Sequence, residues 1–311
     1  MKFVFRFDDD KMLKLLDMLN KGTSGQKIAE ELGVSRTNIW KMISKLKELG
    51  YEISAKRRVG YKLIRSPDIS VYEVARVCYD IRDIIREIHY YDITDSTNLR
   101  AKELKKTGVL VIAERQTAGR GRFGRTWISE IGGLYFSITL PKSMPIEDVP
   151  KITLMSGVAV AEAIGGKIKW PNDVLICGKK VCGILCEIAG EVENPTIIVG
   201  IGINVNNPVP KELNAISLKE AYGREFSRVE VFEKVIKKFA KYYRMLINNE
   251  WRAIRKRWKE LSDTLGRYVV VRVADREFRG LAIDIDEDGG LILDCDGKIE
   301  RVFSGECFYR L

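Results

Sequence analysis

ERQTAGRGRFGRTWIS, residues 114–129, follows a short apolar run at 109–113 that reads as a buried strand, and its reading decides what the middle of the chain is. Gly119, Gly121 and Gly124 have the spacing of a G-x-G-x-x-G dinucleotide fingerprint. That reading fails on context. Thr126, Trp127 and Ile128 read as a strand, where a fingerprint needs a helix whose N-terminus can hold a pyrophosphate, and no suitable acid follows at the expected distance. What the loop does contain is Arg120, Arg122 and Arg125 interleaved with glycine. Glycine lets backbone N–H groups come close to a ligand, and guanidinium forks grip phosphate or carboxylate. Such a loop suits a small acid that becomes joined to a phosphate; the plain alternative is a surface loop with incidental arginines.

Downstream, 152–164 is helical by period, and KIKWPNDVLICGKKVCGILCEI, 167–188, reads as strand, turn and strand. Pro171 and Asn172 make a bend and Gly178 turns the chain back. Asp173 and Lys180 are thereby delivered to neighbouring strands, where a carboxylate could hold magnesium and an ammonium could face an anion. Structural hairpin charges are the alternative. TIIVGIGINVN, 196–206, reads as a further strand whose end should expose Asn204 and Asn206 as polar ligands.

Upstream, residues 1–65 hold 15 Lys and Arg against 8 Asp and Glu, so +7 of the chain's net +10 sits in its first fifth. A local field of that sign suits a polyanion, although a solvated charged surface would look alike. Apolar residues at 12–19 have helical spacing. Ser24 should cap a second helix ended by Gly33, and Ser35 a third ended by Gly50. The three-residue link 33–35 is the turn of a helix-turn-helix. Residues 51–64 then read as a two-stranded wing with a basic tip, Lys56, Arg57 and Arg58. Arg36, Thr37 and Asn38 open the third helix, with Lys41 and Lys45 a turn and two turns on. Those positions reach base edges and phosphates in a recognition helix, so they are the DNA-binding candidates. Ser66–Pro67–Asp68 reads as a linker.

No apolar run is long enough for a membrane span, and the first ten residues lack a signal-peptide pattern. Six cysteines without a disulfide framework suit a reducing, cytoplasmic setting. Cys177, Cys182 and Cys186 have no CxxC spacing, and the one histidine, His89, is distant, so they read as core residues rather than a metal cluster.

DSTN at 95–98, GRGRFGR at 119–125, KWPNDV at 169–174, GKKVCGILCE at 178–187 and GIGINVN at 200–206 resemble, in order and spacing, the motif set of biotin–protein ligases. The resemblance covers the whole chain, and the winged helix resembles the subgroup that doubles as repressor of biotin biosynthesis. It implies an α+β multidomain fold. A winged helix-turn-helix at 1–66 would precede a class II synthetase-like mixed α/β domain at 67–264 and a small SH3-like β-barrel at 265–311. Short strands with turns at 288–290 and 296–297 agree with the last, following a long helical stretch at 229–259.

The resemblance also implies roles. Ser96, Thr97 and Gln116 would hold the biotin ring end, with Asn98 and Gly183 in the same site, and Gly119, Arg120 and Arg122 would cover the ligand. Trp127 would lie beside adenine, with Lys169, Asn172, Asp173 and Asn204 near the nucleotide, where Arg120 and Arg122 also reach. Lys180 would bind the biotin carboxylate and the attacked phosphate, and Lys180, Arg122 and Asp173 would form the catalytic set. ATP with Mg2+ and biotin would be the small molecules. A biotin carboxyl carrier domain, operator DNA and a second copy of the chain would be the partners. A lipoate–protein ligase-like enzyme and a transcription factor that only senses a ligand are the competing readings.

Overall fold

The computed structural model describes residues 2–8, 10–56, 59–141, 144–190 and 195–309. The chain opens with β1 (Lys2–Arg6), then the helices α1 (Lys11–Lys21), α2 (Gly25–Leu32) and α3 (Arg36–Glu48), and the hairpin β2 (Glu52–Lys56) and β3 (Gly60–Arg65). The expected caps are in place. The Ser24 hydroxyl accepts from Lys27 N–H and the Ser35 hydroxyl from Asn38 N–H, each satisfying a donor that the first helical turn leaves free. Gly33 ends α2 in the left-handed conformation, φ 61°. Leu15, Leu16, Leu19, Ile28, Ile39, Ile43 and Leu46 fill the space between the three helices. The described residues thus include a helix-turn-helix followed by a paired hairpin; Arg57 and Arg58 of the wing tip lie outside them.

The middle of the chain contributes α4 (Val71–Cys78), β4 (Glu87–Thr94), α5 (Thr97–Leu104), β5 (Val109–Gln116), β6 (Leu134–Thr139) and α6 (Val149–Ile164). It continues through β7 (Lys167–Lys169), β8 (Asp173–Ile176), β9 (Lys179–Ala189), β10 (Thr196–Ile203) and α7 (Leu218–Tyr222) to α8 (Arg228–Ile247) and α9 (Trp251–Leu261). The helical stretch expected at 229–259 is therefore two helices, broken where Asn249 takes φ 61°. One eight-stranded sheet runs β1-β4-β5-β6-β10-β9-β8-β7, with only β4 and β5 parallel. Helices cover both faces. Phe232 of α8 meets Phe136 of β6 edge to face, 5.4 Å between centroids, while Ala101 of α5 packs on Val109 and Val111 from the other side.

β1 departs from the sequence reading. Its residues pair with β4, Phe3 opposite Tyr90 and Phe5 opposite Ile88, so the first strand of the unit drawn at 1–66 hydrogen-bonds into the central sheet. Phe5 is buried against Tyr72, and the alternation Phe3–Phe5–Phe7 is the period of a strand with one apolar face. The helix-turn-helix is consequently tied at both ends. After it, Asp68 accepts from Arg228 N–H at 2.8 Å and pairs with the Arg228 guanidinium, which also reaches Glu114 Oε2 of β5 at 2.6 Å.

The last five strands, β11 (Tyr268–Val273), β12 (Arg276–Ile285), β13 (Leu291–Cys295), β14 (Lys298–Val302) and β15 (Glu306–Tyr309), form an antiparallel sheet ordered β14-β13-β12-β11-β15. Among the described residues β14 and β15 are its edges, and no pairing closes it into a barrel. No helix of the described residues is long and apolar enough to cross a membrane.

Where β1 meets β4, Glu87 accepts from Arg6 Nε and Lys106 Nζ, both at 3.1 Å, and lies 2.5 Å from His89 Nε2. Burial pushes the Glu87 carboxyl up, but the hydrogen bonds from His89, Arg6 and Lys106 outweigh it and leave the group at about 2. A carboxyl depressed on folding stabilises the fold above its ordinary value of 4.5, and that contribution fades as pH falls toward 2. The stability difference between the wild type and Glu87→Gln, measured by urea unfolding, should therefore shrink steadily across that window; an unchanged difference would show that the cluster holds nothing together.

Candidate active site

A cavity of about 200 Å³ opens at the α5 side of the central sheet, bounded by α5, the arginine–glycine loop, β8, β9, β10 and the start of β15. The floor comes first. Gly183 of β9 and Gly202 of β10 are paired across the strands, and the Trp127 ring lies over both. A Cβ at Gly202 would stand 2.5 Å from Trp127 Nε1, and one at Gly183 would stand 2.9 Å from its Cζ3. Two glycines in register are thus what lets an indole rest on the sheet. The Trp127 N–H is buried with no hydrogen-bond partner among the described residues, an unmet donor beside the cavity.

At the end formed by α5, a polar chain runs inward. Thr97 N–H and its hydroxyl both reach Gln116 Oε1, at 2.7 and 3.1 Å, and the Gln116 amide donates to Ser129 Oγ at 2.8 Å. Ser137, wholly buried in β6, donates to Thr97 Oγ1 or Asn98 Oδ1, at 2.8 and 2.5 Å. Asn98 Nδ2 donates to Glu187 Oε2 at 2.7 Å. Ser96, Thr97, Asn98 and Gln116 all line this end of the cavity. Ser129, Ser137 and Glu187 were not singled out; Ser137 could have been, since a serine inside the otherwise apolar start of β6 needs a partner.

The opposite wall carries the charge. Asp173 opens β8, and Lys180 is the second residue of β9. Val174 pairs with Cys182 but Leu175 pairs with Lys180, so Val181 is one residue too many: a β-bulge. Without it Val181 would face Leu175. With it Lys180 takes that place and turns to the face of Asp173. The ammonium lies 2.6 Å from Asp173 Oδ1 and 5.3 Å from the centre of the Trp127 ring. Backbone bonds from Lys180 N–H to Asn214 O and from Ile216 N–H to Lys180 O pin the bulge from outside.

The loop closes over these groups. The strand expected at 126–128 is absent. Instead the loop doubles back through isolated bridges, Arg120 with Thr126 and Gln116 with Ser129, around a tight turn at Arg122–Gly124. Close approach at Gly119 forces this shape: a Cβ there would meet Trp127 O at 2.3 Å, and Trp127 N–H donates to Gly119 O at 2.9 Å. Arg122 points inward, donating to Asn172 Oδ1 at 3.3 Å and to Gly305 O at 3.1 Å. Burial pushes its guanidinium down from the ordinary arginine range, with the Asp173 charge opposing. Arg120 pairs with Glu187 at 3.2 Å, and Arg125 pairs with Glu306. Lys169 also lines the cavity, its ammonium 4.7 Å from the Tyr309 ring.

Two expectations need correction. Asn204 and Asn206 are not exposed ligands: Asn204 is buried and accepts from Asn207 Nδ2 at 3.0 Å, while Asn206 holds Phe226 N–H and C=O. Both side chains are consumed in fixing the turn after β10. Gly119 shapes the loop from behind without lining the cavity. Gly305, Glu306, Cys307 and Phe308 do line it, and no local pattern announces residues that lie so far along the chain from Arg122. As for metals, no group of three or more His, Cys, Asp or Glu side chains among the described residues is arranged to hold an ion.

On the helix-turn-helix, Arg36, Thr37, Asn38, Lys41, Lys45 and Lys56 are all exposed. They form a second candidate surface, separate from the cavity.

Comparison with known proteins finds matches over most of the chain. Residues 90–204 match the biotin/lipoate A/B protein ligase family, 10–62 match an HTH domain, and 264–310 match the biotin protein ligase C-terminal domain. The bifunctional ligase/repressor BirA of Bacillus subtilis is 38% identical over 92% of this chain and 94% of its own. The Escherichia coli protein of the same description is 30% identical over 97% and 98%. Among solved structures, the biotin protein ligase from Aquifex aeolicus in complex with biotin and ATP superposes with a TM-score of 0.64 at 32% identity, covering 72% of this chain and 98% of that one. The chain belongs to the biotin protein ligase family, in the bifunctional ligase/repressor branch.

Proposed function

We propose that this chain joins biotin to a lysine of a biotin carboxyl carrier domain at the expense of ATP, and that the same chain represses transcription from operator DNA. The observation that carries the enzymatic half is the Lys180–Asp173 contact of 2.6 Å, set beside Trp127 and facing an arginine-rich loop. A carboxylate is a poor acylating agent, so activation comes first. The biotin carboxylate oxygen attacks the α-phosphorus of ATP, pyrophosphate leaves, and a mixed anhydride with AMP results. Positioning and neutralising charge are most of what a protein can do for phosphoryl chemistry. Lys180, Arg122 and Arg120 supply positive charge; Trp127 offers adenine a flat partner. Ser96, Thr97, Asn98 and Gln116, with the backbone at Gly183, hold the ring end of biotin, and Asn172 and Lys169 flank the nucleotide.

In the second step the carrier lysine's neutral amine attacks the anhydride carbonyl, and AMP leaves with the bonding pair. We assign Asp173 to take the ammonium proton beforehand, a reading supported by its carboxylate lining the cavity. It is also the residue that would hold Mg2+, which needs only one or two carboxylates when phosphates provide the rest; that ion supplies charge neutralisation on the phosphates. The remaining partners follow from the N-terminal unit. Arg36, Thr37, Asn38, Lys41, Lys45 and Lys56 meet DNA, and the sequence adds Arg57 and Arg58, which lie outside the described residues. One winged helix spans a half-site, so the repressor acts as a homodimer on two-fold-symmetric DNA. The five-stranded C-terminal sheet is read as an SH3-like barrel, and a protein that uses ATP and operator DNA works in the cytoplasm. Incubation with biotin, ATP and a carrier domain should add one biotinyl group to the carrier by intact mass; an unmodified carrier would overturn the enzymatic half.

Lys180→Ala should cut adenylate formation by roughly a hundredfold or more while the protein stays folded, since one preorganised donor on developing charge is worth about 3–4 kcal/mol. Adenylate recovered after acid quench, beside a thermal melt, measures both. Gly202→Ala should drive the Trp127 indole off the floor and raise KM for ATP roughly tenfold, as base stacking on one aromatic is worth about 1–3 kcal/mol. KM for biotin should move far less, and steady-state kinetics in both substrates will separate the two.

A further inference from the structure

Five tryptophans occur in the chain, and four are buried or half-buried: Trp170, Trp251 and Trp258 in the core, and Trp127 on the floor of the active site. The fifth, Trp40, is 63% exposed. It sits in the second turn of α3, one turn beyond Arg36 and Thr37 and one turn before Ser44, on the flank that leads to Lys41. Ile39, Ile43 and Leu46 hold the adjacent face in the core, and Trp40 stands at its margin with the indole outside. A groove lined by Trp40, Lys41, Ser44, Lys45, Glu48 and Leu49 also touches Phe3 of β1. A broad apolar plate is thus bordered by two lysines and a serine hydroxyl, with one carboxylate, Glu48, in the same groove.

This combination fits one kind of surface, which is anionic at its edges and has small apolar spots between them. The DNA major groove is such a surface: phosphates line its rims, and the thymine C5-methyl is the apolar group on its floor. We propose that Trp40 is a specificity-determining residue that packs on a thymine methyl within the half-site, while Arg36, Lys41 and Lys45 hold the flanking phosphates. The proposal rests on the reading of α3 as a recognition helix and adds what that helix reads. A purely electrostatic helix would bind all sequences alike, because phosphate contacts carry no base information. An indole on a methyl distinguishes thymine from cytosine and from uracil.

The test uses the full-length protein and a duplex that it selects from a random-sequence library, beside a scrambled duplex of equal length. Trp40→Ala should lose roughly tenfold in affinity for the selected duplex, the usual size of one lost base contact. Affinity for the scrambled duplex should stay within about twofold, and the slope of log affinity on log salt should not change, since no phosphate contact is removed. Replacing each thymine singly by deoxyuridine should then reveal a position at which the wild type weakens and Trp40→Ala does not. Biotinylation of a carrier domain by the variant should remain at the wild-type rate, and the retained affinity for the scrambled duplex excludes misfolding of the helix-turn-helix. Equal loss on both duplexes, unchanged affinity for the selected one, or a second copy of the chain competing with DNA at Trp40 would overturn the proposal. Failure of the wild type to select any sequence would instead overturn the reading of α3 as a recognition helix.

Discussion

One extra residue in a strand is what the candidate active site depends on. Val181 bulges out of the β8–β9 ladder, and by doing so puts Lys180 on the face that Asp173 occupies. Strand periodicity would otherwise send the ammonium to the other side of the sheet, away from the cavity. The bulge is stable because its backbone is paid for locally: 214–216 hydrogen-bonds along Lys180, and Val181 and Cys182 are fully buried. Its position next to the Gly183–Gly202 pair is equally consequential. The strand pair that aims the lysine also leaves the gap in which Trp127 lies, and the ammonium sits over the indole. Cation, carboxylate and the seat of the aromatic plate all trace to one stretch, residues 173–183.

The arginine–glycine loop depends on both ends of the chain's central and C-terminal parts. Its back is set by Gly119 against Trp127, and it is latched to the C-terminal part by Arg122 on Gly305 O and by Arg125 on Glu306. The C-terminal sheet is therefore a wall of the site as well as a separate layer. At the other extreme, β1 and the Asp68–Arg228–Glu114 cluster grip the helix-turn-helix before and after. Glu114 stands two residues ahead of Gln116 on β5, so the strand that holds the linker also carries a side chain of the ligand cavity. DNA-facing and ligand-facing surfaces are thereby joined through one strand and one buried arginine.

Local chemistry was legible in the sequence, and long-range pairing was not. Ser24, Gly33 and Ser35 marked the ends of α2 and α3 because caps act within a few residues. Pro171–Asn172 and Gly178 marked the turns that bring Asp173 toward Lys180. The bulge itself was hidden, since nothing about Val181 distinguishes it from its neighbours. So was the place of β1, whose partner β4 lies more than 80 residues away. The part of β15 in the cavity was hidden for the same reason. Asn204 and Asn206 looked like ligands because they follow a buried strand. A turn that must satisfy its own backbone makes the same demand for asparagine, and here the turn claims both. Thr126–Ile128 looked like a strand because its residues favour one, yet the contact of Gly119 with Trp127 holds it as a loop.

The central claim is that this cavity activates biotin as an adenylate. Exchange of labelled pyrophosphate into ATP reports that half-reaction alone, without carrier or DNA. The account predicts exchange that requires biotin and is not supported by lipoate; exchange without biotin, or equal exchange with lipoate, would contradict it.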